Sequence, residues 1–177
     1  MKIPRLIFDK GERFTNTHIT IMELMDCPMS FMTRDNYSPK LISFHKSIKH
    51  RLEHDCEYHG FWCLIKRFFW YDNLPDYFLL LGIKRKGKWL NWEQTTKHLK
   101  SLSLSGVDIH TAPVIFSGTV KNILDLEYLV RSCADNPSHC GAPRKAGVIV
   151  RNHTSFAKLT LPKSKLVFRN RKKTPWQ

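Results

Sequence analysis

Between residues 18 and 23 apolar and β-branched residues alternate, and residues 29–33 repeat the pattern. Two strands are predicted, with Met25-Asp26-Cys27-Pro28 turning between them as a hairpin. From Phe44 to Cys56 the apolar positions Ile48, Leu52 and Cys56 recur every four residues. That spacing predicts an amphipathic helix with His and Lys on its wet side, closed by Gly60. Residues 61–65 and 76–83 are apolar runs of strand length, separated by the basic, aromatic segment 66–71 and an Asp72-Asn73-Leu74-Pro75 turn. Residues 84–88 predict a basic hairpin around Gly87. Asn91 is placed to cap a helix running to about Leu102, and 112–116 reads as a strand. Ser117 is placed to cap a helix over 120–133, with Ile123, Leu124, Leu126, Leu129 and Val130 as its apolar face. After a loop over 134–144, residues 147–151 and 165–169 read as the last strands. Short strands interleaved irregularly with a few helices, without an internal repeat, predict one α+β domain over 18–169, an N-terminal arm 1–17 and a basic tail 170–177.

Composition supports a folded chain. Hydrophobic residues make up 42% and aromatics 12% of the 177 residues, enough to bury a core. The apolar runs are too short to cross a bilayer and the N-terminus has no signal-peptide stretch, so a soluble protein is expected. Cys27, Cys56, Cys63, Cys133 and Cys140 are odd in number and irregularly spaced, unlike a disulfide framework. An intracellular, reducing compartment is expected, cytoplasm and organelle matrix fitting equally well.

The sign of the charge adds a partner class. Lys and Arg number 29 against 15 Asp and Glu, a formal net charge of +14. Residues 136–177 contain no acid, while Arg144, Lys145, Arg151, Lys158, Lys163, Lys165, Arg169, Arg171, Lys172 and Lys173 supply cations. Such a stretch attracts a polyanion through counterion release, and no membrane-inserting amphipathic pattern accompanies it. The plainer alternative is a solvated basic face. Lys66-Arg67 followed by Phe68, Phe69, Trp70 and Tyr71 pairs cations with aromatics, as surfaces that stack unpaired bases do. Alternate strand residues point inward, so we read half of these aromatics as core between strands and Lys66 and Arg67 as the functional pair.

Trp70-Tyr71-Asp72-Asn73-Leu74-Pro75-Asp76-Tyr77-Phe78-Leu79-Leu80, then Leu90-Asn91-Trp92-Glu93 and Ala112-Pro113-Val114-Ile115-Phe116-Ser117-Gly118, resemble a stretch of the nucleotidyltransferase domain of small ATP-dependent RNA ligases. There it links the third and fourth motifs. Pro143-Arg144-Lys145-Ala146-Gly147-Val148-Ile149-Val150-Arg151 resembles the fourth motif, usually Glu-Gly-(Val/Leu)-Val-Val-Arg. Leu166-Val167-Phe168-Arg169, Lys173-Thr174 and Trp176 resemble the fifth and its sequel, so the resemblance spans residues 18–176. It implies a compact ligase-like α+β domain with antiparallel sheets and a few flanking helices.

The resemblance also identifies what this chain lacks. The first motif, Glu-Lys-x-Asp-Gly in the family, falls on Glu23-Leu24-Met25-Asp26-Cys27. Its lysine amine attacks the α-phosphorus of ATP and carries AMP as a phosphoramidate, which Leu24 cannot do. The third-motif glutamate, used by resembling ligases around the ribose and metal, falls on Phe61, and the fourth-motif glutamate on Ala146. Losing two oxygen ligands removes much of what a hard cation needs in a phosphoryl-transfer site. Glu23, Asp26, Arg151 and Lys165 keep the expected character.

These departures predict a catalytically inactive RNA-ligase-like protein without cofactor. It would bind RNA through Lys66, Arg67, Arg144, Lys145, Arg151, Lys163, Lys165, Arg169, Arg171, Lys172 and Lys173, as a structural subunit beside other proteins of a ribonucleoprotein. The competing expectation is an active, divergent ligase using ATP and magnesium with a relocated lysine, Lys40, Lys66 or Lys165. A third is a binding module that keeps the old pocket as a nucleotide sensor. His50, His54, Cys56 and His59, and separately Cys133, His139 and Cys140, lack the paired spacing of a strong zinc signal, so no metal is expected.

Overall fold

The computed structural model describes residues 16–27, 29–31, 39–64, 69–153 and 156–160. Strand β1 (Thr17–Leu24) is buried along nearly its whole length because both of its faces are covered. Ile19 and Ile21 point into one apolar cluster, Met22 and Leu24 into another, as the period-2 geometry of a strand requires. β1 lies between β6 (Val114–Val120) and β7 (Gly147–Arg151), and β8 (Phe156–Thr160) extends the antiparallel sheet in the order β6-β1-β7-β8. The second antiparallel sheet has the order β2-β3-β4-β5, from β2 (Met29–Phe31), β3 (Cys56–Trp62), β4 (Phe78–Arg85) and β5 (Lys88–Trp89).

Helix placement completes the layers. α3 (Ile123–Asp135) covers the outer face of the first sheet, with Leu126, Val130, Cys133 and Ala134 packed on Ile19, Ile21, Val148 and Val150. α1 (Pro39–Ile48) and α2 (Trp92–Leu104) serve the second sheet, where Leu41 and Leu102 join Tyr58, Trp62, Phe78, Leu80 and Ile83. Between the sheets lies a third cluster built from both, including Met22, Leu24, Phe61, Cys63, Leu79, Leu81, Ala146 and Ile149. The segment 110–113 ties the sheets together: Ala112 N–H donates to Leu80 O at 2.8 Å, and Glu23 N–H donates to Pro113 O at 2.8 Å. Among the described residues no helix is long and apolar enough to cross a membrane.

Several expected elements stand where the pattern put them: β1, β4, the tight turn with Lys86 and Gly87 at positive φ, β7, and α2. Asn91 caps α2 in a complete capping box, its side chain accepting from Gln94 N–H at 2.8 Å while Gln94 accepts from Asn91 N–H at 2.9 Å.

Other expectations are corrected. β1 and β2 do not form a hairpin, because β2 pairs with β3 and belongs to the other sheet. The helix expected over 44–56 runs instead over Pro39–Ile48 with a short 3-10 turn at Lys49–Arg51, and Cys56 begins β3. Gly60 therefore lies inside a strand, where a Cβ would strike the Leu79 carbonyl. Ser117 is a strand residue of β6, and the α3 cap is Asn122, which accepts from Leu124 N–H and Asp125 N–H at 2.9 and 3.0 Å. β8 was not anticipated, and the strand expected over 165–169 lies outside the described residues.

Candidate functional site

Pairing of β1 with β7 sets Leu24 opposite Gly147, one residue from Ala146. The approach is close: a Cβ on Gly147 would run into the Leu159 carbonyl of β8 and lie 3.0 Å from the Leu24 side chain. Phe61 arrives from the other sheet, opposite Leu79 and Met29. The positions that the sequence resemblance marks as nucleophile and two carboxylates thus meet between the sheets, in one apolar cluster. Leu24 is 3%, Phe61 0% and Ala146 8% exposed, so the cluster is shut to solvent. Cys27, Cys63, Cys140, Phe69 and Tyr71 complete it. The hydrogen bond with Cys27, and then burial, push the Cys63 thiol up, and burial with Glu23 nearby pushes Cys140 up to about 12.

The Glu23 carboxylate and the Asp26 backbone serve the same cluster. Glu23 is fully buried; its carboxylate accepts from the Ser138 hydroxyl and from His139 N–H at 2.9 Å, with His139 Nδ1 3.4 Å away. It anchors the loop that carries Cys140 rather than facing a ligand. Asp26 N–H donates to the Tyr71 hydroxyl at 2.7 Å, which fixes the turn after β1.

Two cations expected on an RNA-binding face are interior. Lys145 is 0% exposed, and Nζ donates to Asn136 O at 2.9 Å and Pro137 O at 2.8 Å. Burial lowers its pKa, and Glu23 and Cys133 oppose that shift. Arg151 is 1% exposed; it donates to Leu81 O at 3.0 Å and Leu90 O at 2.5 Å, between the rings of Trp92 and Phe156. Burial lowers its pKa to about 10. A sequence shows a charge but not the carbonyl cage that can accept it. Arg144 is half-buried, with its guanidinium 5.7 Å from the Phe69 ring. Lys66, Arg67, Lys163, Lys165, Arg169, Arg171, Lys172 and Lys173 lie outside the described residues. Of the aromatic run, Phe68 lies outside the described residues, Phe69 and Tyr71 are buried and Trp70 is 61% exposed, in a segment that joins no strand.

Other exposed cations of the described residues include Lys121, Arg131 and Lys158 beside the first sheet and a group near one end of the second, where exposed Glu53 and Asp55 lie among them. Lys46 ends α1, Lys49, His50 and Arg51 form the following turn, Lys86 and Lys88 the β4–β5 turn, and Lys97 and Lys100 the wet side of α2. Lys86 N–H donates to Asp55 O at 3.0 Å, and Arg51 donates to Gly106 O at 2.9 Å, which brings these segments together.

Beside Arg151 a shallow cleft of about 80 Å³ is lined by His18, Thr20, Asn91, Trp92, Glu93, Asn152 and His153. That is well below the roughly 300–1,000 Å³ of small-molecule pockets. The His and Cys groupings that the sequence sets close together do not come together: His50 and His54 are exposed on the surface, and Cys133 and Cys140 belong to different clusters.

No protein-family model matches the chain, and no curated protein matches it. Solved structures of an RNA ligase from Naegleria gruberi do. An apo mutant of that enzyme matches with a TM-score of 0.61 and 13% identity, over 83% of this chain and 50% of that one. Another mutant, with ATP and Mn, matches with a TM-score of 0.62 and 11% identity, over 90% and 56%. This chain therefore spans about half the length of the ligase chains it matches. At such identity the likeness is one of fold: an antiparallel α+β domain similar to RNA ligase structures.

Proposed function

We propose that this protein is a ligase-like domain that no longer transfers adenylate and that binds RNA as part of a larger ribonucleoprotein. The observation that carries the reading is the shared burial of Leu24, Phe61 and Ala146 in one cluster between the sheets. Adenylyl transfer needs an amine facing an α-phosphate and oxygens facing a divalent cation. At those positions the chain has apolar side chains packed together, an arrangement that favours cohesion of the two sheets. The net charge of +14 and the exposed cations of the described residues support RNA as partner, with the basic residues 161–177 adding to them. Lys and Arg contacts to phosphates give affinity without sequence reading, so specificity would come from RNA shape or neighbouring proteins.

A second reading rests on Lys145, a buried amine with a lowered pKa near Glu23. Lowered basicity is what a nucleophilic lysine needs. Its two hydrogen bonds to carbonyls, however, keep Nζ in use as a donor. Incubation with ATP and magnesium or manganese, followed by intact-mass measurement beside an active ligase, separates the readings. The proposed function expects no added AMP. A stable adduct mapped to Lys145, Lys40, Lys66 or Lys165 would overturn it.

A further inference from the structure

At the end of the second sheet opposite Phe61, Cys56 opens β3 in register with Arg85 of β4. The turn before β3 contributes Glu53, and α2 lays His98 against them. One ligand atom from each of Glu53, Cys56 and His98 lies within 4.8 Å of the other two. Cys56 Sγ is 3.5 Å from Glu53 Oε2, and His98 Nδ1 is 3.4 Å from Glu53 Oε1. Cys56 and His98 are buried and Glu53 is exposed, so the group opens to solvent on its carboxylate side.

A cation already sits there. Arg85 donates from NH2 to Glu53 Oε2 at 2.6 Å and to His98 Nδ1 at 3.2 Å, and from Nε to Cys56 Sγ at 3.4 Å. A guanidinium only donates, so Nδ1 of His98 must present a lone pair and Nε2 must carry the proton, toward the Tyr58 hydroxyl 2.7 Å away. That is the tautomer and orientation that a metal bound through Nδ1 would need, with Tyr58 as the partner that fixes the ring. Burial, the largest effect on His98, favours its neutral form.

We infer that Glu53, Cys56 and His98 form a zinc site, which Arg85 occupies as a stand-in when metal is absent. One thiolate, one imidazole and one carboxylate make a donor set suited to zinc, whereas magnesium and calcium favour oxygen alone. Binding would release the Cys56 proton to solvent and turn out the Arg85 side chain, which is 40% exposed and would exchange its hydrogen bonds for water. The fourth position faces water, with Asp55 Oδ1 3.8 Å from the thiol at its border. Bound metal would staple the turn at Glu53, the start of β3 and α2. The inference does not depend on the proposed function.

Cobalt(II), added to the reduced full chain, is the probe. We expect one equivalent to give a thiolate-to-cobalt absorption band that zinc abolishes, and zinc to raise the melting temperature. Cys56→Ser, checked for folding by circular dichroism, loses the band; His98→Gln is the second variant should Cys56→Ser fail to fold. Arg85→Ala removes the competing cation and binds at least tenfold tighter than the wild type. No band in the wild type, a band that survives both ligand variants, or binding confined to Arg85→Ala would each overturn the site. The last outcome would make Arg85 a permanent occupant.

Discussion

Lys145 and Arg151 show how far a residue's identity underdetermines its task. Both are cations in an acid-free stretch, and both spend their charge on backbone carbonyls inside the protein. Truncating a buried donor leaves its acceptors unsatisfied, so Arg151→Met and Lys145→Met should each cost about 1–3 kcal/mol in urea unfolding. RNA affinity of the folded variants should stay within twofold of the wild type, a result that a phosphate-contacting role would not give. Histidines set a pH dependence. His59 and His98 have pKa values lowered from 6.5, chiefly by burial; Glu57 and Lys84 face the first, and Glu53, Arg85 and Asp55 the second. Below 6.5 the unfolded chain takes up these protons before the folded one does, so protonation favours unfolding and stability falls with the pH. Melting temperatures measured from pH 7.5 downward should decline through that window, and His98→Gln should flatten the decline.

At the scale of elements, α2 and its cap were the most legible, whereas α3 is capped by Asn122 and not by Ser117. Asn91 and Gln94 close the α2 capping box with local hydrogen bonds that three residues of sequence already specify. Asn91→Ala should therefore lose about 1 kcal/mol of stability and Asn91→Gly only a few tenths, in chemical denaturation. The stretch 44–56 was misleading for a physical reason. Ile48 does pack on a helix face, but Leu52 and Cys56 enter the same apolar cluster from a turn and a strand, so one cluster mimics a helical period. The β1–β2 hairpin failed because a turn signal says where a chain reverses, not which sheet the next strand joins; β2 crosses to β3. β8 follows β7 within a few residues and pairs with it from Gly147↔Thr160 to Arg151↔Phe156, a hairpin whose alternation is too short to stand out alone.

For the whole molecule the surface, more than the core, carries the functional proposal. Contacts to phosphates make binding fall with salt in proportion to the cations engaged. Charge reversal at Lys86, Lys88 and Lys97 should weaken RNA binding and shallow the log K against log salt slope by roughly 0.7–0.9 per contact removed. A slope unchanged in that triple variant would move the RNA surface off the edge of the second sheet. The sequence by itself determined the α+β class, the strands β1, β4 and β7, the cap of α2 and the apolar identities of Leu24, Phe61 and Ala146. Each of these follows from residue type or from short-range periodicity. The tertiary structure alone decided that these three positions meet in one sealed cluster, that Lys145 and Arg151 are interior, and that Glu53, Cys56, Arg85 and His98 converge. Such facts depend on pairing between segments far apart in the chain, as where β1 meets β7 and Cys56 meets Arg85, and no local pattern encodes which distant partner a strand takes.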